Sequence, residues 1–579
     1  MSNNLRINIV IVIVFLIGGV VLSRLFYLQI DQGEYYKAMA QGQQTSLAET
    51  QGERGEVTFK GGEILAMTEK EPYLFISPEE IKDKDKEVTA QMLSEKTGKD
   101  MNTILALTKK TGSFYEVIEE NIDKTKADDI SSLGLTGVHI GYKTKRYYPQ
   151  ENTASQIIGF INQEGVGQYG LEGYYDDQIK GKTAVSKTEK NPWDFLFKMS
   201  DKESLDGASL GLTIDYNIQF MAEKLLNEGV KKYDAEGGEI IVMDPNTGAI
   251  IAMAQNPNFN PNNYQTAPME SFQNSCTQKL FEPGSIFKPI TMSSAVNEKK
   301  VTPDTVFDDT LGYKQFGTYK VYNYSNKIWG KITMTEVLQG SVNTGVMYAE
   351  SLIGNSVFYN YLKSFGFFED TGIDLAGEVS PNSSELKKAL DYNTCEVCFG
   401  NTAFGQGLGI TPLQMIRAFS AIINGGKLYK PYVVDTITTA GQVKKIQPTV
   451  VRDNVVSTET SNQLRTMLIN VVEKGFGRLA KNSGYWIGGK TGTSQVPYTS
   501  IGISKSGYSE HTWQTFMGFA PALDPQFIIL VKLNNPTATK TSEYSAVPVF
   551  HDLAKYIIDY WQIPPDYDDT ITTTTLDKE

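Results

Sequence analysis

An apolar run close to the N-terminus constrains this chain more than any other feature. Residues 7–22 are apolar except for Asn8, and the run resumes at 25–28 after Ser23-Arg24. A bilayer span needs about 20 apolar residues, and 7–28 supplies this length if the Arg24 side chain extends to the membrane interface. The run therefore predicts a transmembrane helix ahead of the rest of the chain.

The flanks of the run favour an uncleaved anchor over a secretory signal peptide. No small-x-small cleavage pattern follows it, and Arg6 precedes it on a short leading segment. A basic residue on the leading side predicts a cytoplasmic N-terminus. We therefore expect a cytoplasmic tail at 1–6, a single-pass anchor at 7–28, and an extracytoplasmic location for everything after residue 30.

Composition excludes several classes of function. The chain has 579 residues, of which 40% are hydrophobic, so it can bury two or three cores. Its formal net charge is −13 with no basic block, which argues against nucleic acid as a partner. The three histidines, His139, His511 and His551, fall in no metal-ligand spacing and serve a Ser-His-Asp triad poorly. We expect neither a metal nor a cofactor.

The pattern of apolar and charged residues along the sequence changes at about residue 205. The stretch 54–200 mixes short strand-like runs with charged segments, whereas 237–257 and 513–533 each read as a hairpin of two apolar strands. Between these hairpins lie helical patterns, and one helix start is marked by Thr411-Pro412 with Gln414 as a capping-box partner. The pattern predicts an α+β domain in which an antiparallel sheet is packed between helical layers.

A serine and a lysine stand three residues apart after a Pro-Gly turn. In FEPGSIFKPI (281–290), a helix beginning after Gly284 would place Ser285 and Lys288 on one face. A desolvated lysine can take the proton of a serine hydroxyl, and N–H groups at a helix start can stabilise an oxyanion. Taken alone, this motif is better explained as an ordinary helix start with a surface lysine.

Two later segments favour the chemical interpretation. Ser341-Val342-Asn343 follows Ser285 by 56 residues, and Lys490-Thr491-Gly492-Thr493 comes 149 residues after Ser341 in a strand-like run. Each segment has a structural explanation as a cap, a turn or an edge strand. All three motifs in this order are much less frequent by chance than any one of them.

The set resembles the penicillin-recognising serine acyltransferases, whose motifs are S-x-x-K, S-x-N and K-T-G. It is most similar to class B penicillin-binding proteins, the membrane-anchored peptidoglycan D,D-transpeptidases. The resemblance extends over nearly the whole chain through further landmarks: RGEVTFKGGEILA (54–66), Arg146-Tyr147-Tyr148-Pro149, Gly170-Leu171-Glu172, Thr213-Ile214-Asp215 with Gln219, Gly405-Gln406-Gly407 and Thr411-Pro412. One departure is visible, since Phe59-Lys60-Gly61-Gly62 stands where the family usually carries Asp-Arg-Asn-Gly.

The resemblance implies a role for each motif residue. Ser285 would attack the penultimate D-alanine of a stem peptide, and Lys288 would take its proton. Ser341 would relay a proton to the leaving amine, with Lys490 supplying positive charge. The remaining implied roles belong to substrate binding. Asn343 would hold donor amide groups, Thr491 and Thr493 would hold the substrate carboxylate, and Gly492 would leave the strand edge open. The backbone N–H groups of Ser285 and Thr493 would form the oxyanion hole.

The resemblance also implies an organisation and a set of partners. We expect a non-catalytic, dimerisation-like pedestal of elongated α+β structure at 31–204, a transpeptidase domain at 205–566 and a disordered tail at 567–579. The expected ligands are D-Ala-D-Ala stem peptides and β-lactams that acylate the serine. The expected partners are the bilayer, a multispanning glycan-strand polymerase and division proteins.

Other functions stay open at this point. A septal, division-type enzyme is favoured over an elongation-type one by length and by the single pedestal region. A serine β-lactamase, a D,D-carboxypeptidase or endopeptidase, and a non-catalytic division scaffold are further alternatives. Of the three cysteines, Cys395 and Cys398 are spaced for a local disulfide in an oxidising compartment, while Cys276 stands alone.

Overall fold

The structure is a computed structural model that describes Gly18 and residues 45–189, 205–379, 384–392 and 394–567. The predicted tail 1–6, the predicted span 7–28 apart from Gly18, and the predicted C-terminal tail from 568 onward lie outside these residues. Within the described ranges, no helix combines the length and apolarity needed to cross a membrane.

The described residues form 22 strands and a similar number of helices, which confirms the mixed α+β content. The strands are β1 Thr45–Gln51, β2 Val57–Thr58, β3 Ile64–Ile76, β4 Glu116–Glu119, β5 Val138–Tyr147, β6 Phe160–Ile161, β7 Gly167–Gln168, β8 Thr183–Glu189, β9 Ser209–Leu212, β10 Gly237–Met243, β11 Ile250–Asn256, β12 Val306–Asp309, β13 Tyr313–Phe316, β14 Tyr319–Tyr322, β15 Gly330–Thr333, β16 Leu428–Tyr429, β17 Val434–Thr439, β18 Gln442–Lys445, β19 Val450–Arg452, β20 Gly488–Pro497, β21 Tyr508–Ala520 and β22 Phe527–Asn534.

The α-helices connect these strands and supply the layers that cover them. They are α1 Lys86–Thr97, α2 Met101–Thr108, α3 Lys124–Ser132, α4 Ser155–Ile158, α5 Gly170–Tyr174, α6 Asp176–Ile179, α7 Tyr216–Lys232, α8 Ser275–Gln278, α9 Lys288–Asn297, α10 Met334–Gln339, α11 Asn343–Ile353, α12 Asn355–Ser364, α13 Ser384–Tyr392, α14 Glu396–Thr402, α15 Pro412–Ile423, α16 Thr458–Lys474 and α17 Ala546–Trp561. Short 3-10 turns occur between them, including Gly284–Phe287 and Ser542–Tyr544.

The chain divides into two compact units. The smaller unit comprises Met1–Arg54 with Lys180–Gly207, and its described part contains the antiparallel pair β1 and β8. The larger unit comprises Gly55–Ile179 with Ala208–Glu579 and contains every other described strand and all the α-helices named above.

A five-stranded antiparallel sheet is the centre of the larger unit. Its strand order is β11-β10-β22-β21-β20, so that β20 is an edge strand. Along β10, Ile240 and Val242 belong to one hydrophobic core, whereas Ile241 and Met243 belong to another. Because α7 and α17 cover one face while α9 and α15 belong to the core on the other, the strands are apolar on both sides. The predicted sheet between helical layers is confirmed.

The local predictions for this region hold closely. The two predicted hairpins are the antiparallel pairs β10–β11 and β21–β22. Helix α15 begins at Pro412, with Thr411 accepting a hydrogen bond from the Gln414 N–H in a capping box, and its C-cap is Asn424. These features depend on residues only a few positions apart.

A second sheet of seven strands contains four of the eight described strands that lie in the predicted pedestal. Its order is β18-β17-β9-β2-β3-β4, with β5 paired to β3. The strands are longer than the sequence indicated, since β3 has 13 residues although Pro72 interrupts its pattern, and β5 has 10. The sheet also joins β2 to β9 in parallel, and β9 lies beyond the predicted boundary at 204.

A buried ion pair lies at one end of β5. Arg146 Nε is 2.7 Å from Glu172 Oε1, with side chains 4% and 0% exposed. The Arg146 guanidinium also donates to the Gly55 carbonyl oxygen at 2.8 Å. Two of the predicted landmarks, at 146–149 and 170–172, are therefore in contact in the folded chain.

Candidate active site

The turn before α9 presents Ser285 to a cleft. A 3-10 turn at Gly284–Phe287 runs directly into α9, which begins at Lys288 with Pro289 in its first turn. The predicted helix start after Gly284 is thus confirmed, with a tighter first turn than expected. Ser285 lines the cleft, and its hydroxyl forms no hydrogen bond to any residue of the described ranges.

Two glycines allow the turn that carries Ser285 to pack against the Gly405-Gln406-Gly407 segment. Gly284 has φ of +58° and its N–H donates to the Gly405 carbonyl oxygen at 2.9 Å. Gly405 has φ of +84°, and a Cβ added there would lie 2.2 Å from the Gly284 carbonyl oxygen. Both positions require glycine because the backbones approach closely in left-handed conformations.

Lys288 is completely buried, and its amine bonds to the second motif and not to the Ser285 hydroxyl. Its Nζ donates to Asn343 Oδ1 at 2.7 Å, to Ser341 Oγ at 3.1 Å and to the Ser341 carbonyl oxygen. Burial, followed by the positive charge of Lys490, holds the pKa of Lys288 well below its usual value. A lysine in this state is available as a neutral base.

The second motif forms the turn between α10 and α11. Ser341 has φ of +52°, which is uncommon for a residue other than glycine. Asn343 is the first residue of α11, and its Nδ2 donates to the Tyr322 carbonyl oxygen at 2.9 Å. Since an amide nitrogen carries two hydrogens, one N–H of Asn343 stays available for the implied contact with a substrate.

The third motif lies on edge strand β20. Lys490 Nζ donates to Ser341 Oγ at 3.0 Å and to the Thr491 carbonyl oxygen at 2.9 Å. Burial lowers the pKa of Lys490 to about 7. The Ser341 hydroxyl therefore lies between two buried amines, and this arrangement suits proton transfer.

The remaining motif residues follow along β20. Thr491 and Thr493 line the cleft, and Thr493 Oγ1 accepts a hydrogen bond from the Ser542 N–H at 3.2 Å. The structure gives a different reason for Gly492 than an open strand edge. A Cβ there would lie 2.3 Å from Thr515 Oγ1 and 3.2 Å from the Ile286 nitrogen, so the glycine lets β20 pack against the turn that carries Ser285.

These motifs converge on one cleft of about 670 Å³. Ser285, Ser341, Asn343, Thr491 and Thr493 all line it, while Lys288 and Lys490 reach it through their hydrogen bonds to Ser341. No three potential metal ligands cluster anywhere in the ranges described. Hydroxyl groups and the Asn343 amide line the cleft at the three motifs, with the two amines bonded to Ser341.

Several residues around the cleft belong to no motif that the sequence indicated. Glu282 stands three residues before Ser285, yet its carboxylate contact with Tyr508 gave no sequence signal because 226 residues separate them. Ser542, which contacts Thr493, belongs to no predicted motif. Away from the cleft lining, the Cys395–Cys398 disulfide is present with Cα atoms 5.4 Å apart, and Cys276 is free and buried.

Comparisons with known proteins agree with this site. The model of the penicillin binding protein transpeptidase domain matches residues 238–555, which is more than half of the 579-residue chain. The model of the penicillin-binding protein dimerisation domain matches residues 49–211. The first match includes all three motifs.

Individual relatives extend over most of the chain. Stage V sporulation protein D of Bacillus subtilis (strain 168) is 33% identical over 544 residues, covering 91% of this chain and 81% of that protein. Peptidoglycan D,D-transpeptidase FtsI of Escherichia coli (strain K12) is 28% identical over 464 residues, covering 80% and 74%. A crystal structure of Penicillin Binding Protein 2X from Streptococcus thermophilus matches with a TM-score of 0.76 at 21% identity, covering 88% and 80%, which concerns the fold alone. The chain therefore belongs to the penicillin-binding protein family, with both a dimerisation domain and a transpeptidase domain.

Proposed function

We propose that this protein is a peptidoglycan D,D-transpeptidase that acts through an acyl-enzyme on Ser285. The observation that carries the proposal is the convergence of Lys288 and Lys490 on Ser341 Oγ, at 3.1 Å and 3.0 Å, beside Ser285 in one cleft. The family membership and the relative named peptidoglycan D,D-transpeptidase FtsI support the substrate class.

The first half-reaction forms an ester and releases an amine. Ser285 Oγ attacks the carbonyl carbon of the penultimate D-alanine, and its proton passes to the neutral amine of Lys288. The peptide C–N bond then breaks, and Ser341 passes a proton to the departing D-alanine nitrogen while Lys490 supplies positive charge. Lys288 returns the proton it took from Ser285 to Ser341 Oγ, 3.1 Å away. The N–H groups of Ser285 and Thr493 would hold the oxyanion, and Thr491 with Thr493 the terminal carboxylate.

The second half-reaction transfers the acyl group to another peptide. An amine of a neighbouring stem peptide attacks the ester carbonyl and forms an amide bond. The C–O bond to Ser285 breaks, and the proton lost by the amine returns to Ser285 Oγ. The product is a cross-link between two strands. A β-lactam would acylate Ser285 in the same way and block it.

Location and cellular role complete the proposal. Residues 7–28 would anchor the protein in the cell membrane with residues 1–6 in the cytoplasm and the catalytic domain outside, beside a multispanning glycan-strand polymerase. Septal cell-wall synthesis is the first candidate role, favoured by the length of the chain and its single pedestal region. Sporulation is the second candidate, because the 33% identical relative is named for it. Identifying the polymerase and division proteins that co-purify with the full chain in growing and in sporulating cells separates the two roles.

The chemistry is tested by intact-protein mass after incubation with a penicillin. Wild type and Ser351→Ala, which removes an exposed hydroxyl on α11, are expected to gain one penicilloyl adduct, whereas Ser285→Ala gains none. Persistence of the adduct over hours supports a transpeptidase, while rapid turnover of the antibiotic supports a β-lactamase. A folded wild-type protein that forms no adduct and shows no turnover would contradict the proposal and favour a scaffold.

A further inference from the structure

One wall of the cleft comes from a segment outside the three motifs. Hairpin β13–β14 and the residues that follow it contribute Lys320, Tyr322, Tyr324, Lys327 and Trp329 to the lining, and we call these five residues the hairpin wall. The proposed reaction assigns no role to any of these five side chains. The wall therefore enlarges the cleft beyond the groups that act on the scissile bond.

The hairpin wall is fixed to the catalytic motif at its base. The Tyr322 carbonyl oxygen accepts the hydrogen bond from Asn343 Nδ2 at 2.9 Å. The next residue, Asn323, is 4% exposed; its Nδ2 donates to Asp309 Oδ2 at 2.8 Å and its Oδ1 accepts from the Thr344 N–H at 3.0 Å. Because Asn343 and Thr344 begin α11, the wall and the catalytic turn form one preorganised surface.

The charge of the cleft opposes that of the chain. The chain carries a formal net charge of −13, yet the charged side chains that line the cleft are Lys320, Lys327, Lys540 and Glu543. Lys288 and Lys490 lie just beneath the lining. A concave site that concentrates one sign of charge attracts ligands of the other sign.

Aromatic rings, which carry no charge, position the two lysines of the hairpin wall. Lys327 Nζ lies 3.4 Å from the centroid of the Trp329 ring, and Lys320 Nζ lies 4.3 Å from that of Tyr313. In the described part of the chain, neither ammonium has a carboxylate within ion-pair distance. An ammonium on a ring face keeps N–H donors directed away from the ring, so each lysine can still bind an anion.

We propose that the hairpin wall is a binding subsite for an acidic peptide. In this subsite, Lys320 and Lys327 contact a carboxylate that lies upstream of the scissile bond of a donor peptide or of the accepting amine of an acceptor peptide. This inference rests on the proposed function and specifies which stem peptides the site selects. A neutral sugar is a poorer fit, because Lys327 already covers one face of the Trp329 ring. The carboxylate could belong to the donor or to the acceptor peptide, and the experiment separates these two sources.

The test compares two peptides that differ only in one carboxylate. Both end in D-Ala-D-Ala, and one carries a glutamate upstream where the other carries glutamine. Their binding to full-length Ser285→Ala protein is measured by calorimetry, so that the result does not depend on turnover. We expect the glutamate peptide to bind more tightly, and the additional Lys320→Gln and Lys327→Gln changes to reduce this preference about three- to tenfold.

A matched control and an acceptor experiment complete the test. Lys331→Gln removes an exposed lysine on β15 that does not line the cleft, and the preference should be unchanged. A preference seen only when the same pair, each carrying a free side-chain amine, is offered as acceptor to wild type acylated by a separate D-Ala-D-Ala donor peptide assigns the carboxylate to the acceptor. Equal affinity for both peptides in both arms, or a preference that survives loss of both lysines, overturns the inference. Loss of Ser285 labelling would instead overturn the proposed function.

Discussion

Tyr508 Oη donates a 2.9 Å hydrogen bond to Glu282 Oε2, which joins the start of β21 to the turn that carries Ser285. Ser494 on β20 donates to the carbonyl oxygen of the same glutamate at 2.8 Å. Burial raises the pKa of Glu282, and the hydrogen bonds from the Gly407 N–H and from Tyr508 act in the opposite direction. Glu282 therefore connects β20, β21 and the Gly405–Gly407 segment beside the nucleophile.

Removing the Tyr508 hydroxyl should weaken this connection. Tyr508→Phe leaves a largely buried carboxylate with one donor fewer, at an expected cost of about 1–3 kcal/mol in the free energy of unfolding. The rate of acylation by penicillin should fall several-fold because the nucleophile turn is held less firmly. Tyr498→Phe is the control, since Tyr498 lies near the same hairpin end and its hydroxyl forms no hydrogen bond among described residues. Equal effects of the two variants would contradict a special role for the Tyr508 contact.

Gly405 should tolerate no side chain. In Gly405→Ala, the new Cβ would meet the Gly284 carbonyl oxygen at 2.2 Å in a backbone with φ of +84°. Displacing a reacting group by about 1 Å can cost about 100-fold in rate, and we expect a loss of this order in penicillin acylation. Gly409→Ala is the comparison, because its nearest neighbour would be 3.6 Å away. Near-wild-type acylation of Gly405→Ala, measured by stopped-flow, would show that the turn adapts.

The two buried lysines should determine the pH profile of acylation. The rate should rise with pH as Lys288 becomes neutral, and fall as Lys490, whose pKa is about 7, loses its proton. The positive charge of Lys490 also lowers the pKa of Lys288. In Lys490→Ala, the pKa of Lys288 should therefore increase, so the rising limb moves to higher pH and the falling limb disappears. These limbs describe the coupled pair of lysines together.

The measurement is the penicillin acylation rate between pH 5 and 10 for each protein. Lys481→Ala, which removes a partly exposed lysine paired with Glu473, should keep the wild-type profile at a slightly altered stability. A Lys490→Ala profile that keeps the wild-type rising limb would refute the electrostatic coupling between the two amines.

The buried Arg146–Glu172 pair should be costly to break. Arg146→Ala removes one member of a buried ion pair with Glu172, and breaking such a pair typically costs about 3–5 kcal/mol in the free energy of unfolding. Lys145, next to Arg146 on β5, forms a more exposed pair with Glu71 of β3 at 3.0 Å, which offers a matched control. Lys145→Ala should cost less than about 1 kcal/mol. Denaturant unfolding of both variants measures the difference. Similar losses in the free energy of unfolding would contradict the expectation that burial makes the Arg146–Glu172 pair more costly to break.

The sequence by itself determined the features that depend on near neighbours and on motif identity. The capping box at Thr411 and Gln414 and the two core hairpins could be predicted, because capping and strand alternation depend on residues a few positions apart. The three motifs could be found by their residue types and order, and the family resemblance implied the roles proposed for Ser285 and Lys288.

Only the tertiary structure decided which distant residues meet. Lys490 contacts Ser341 across 149 residues, and Tyr508 contacts Glu282 across 226. The parallel pairing of β2 with β9, which carries one sheet past the predicted domain boundary, likewise had no local signal. Such contacts arise from the packing of whole elements around the cores, where burial of apolar surface selects one arrangement and no short segment encodes it.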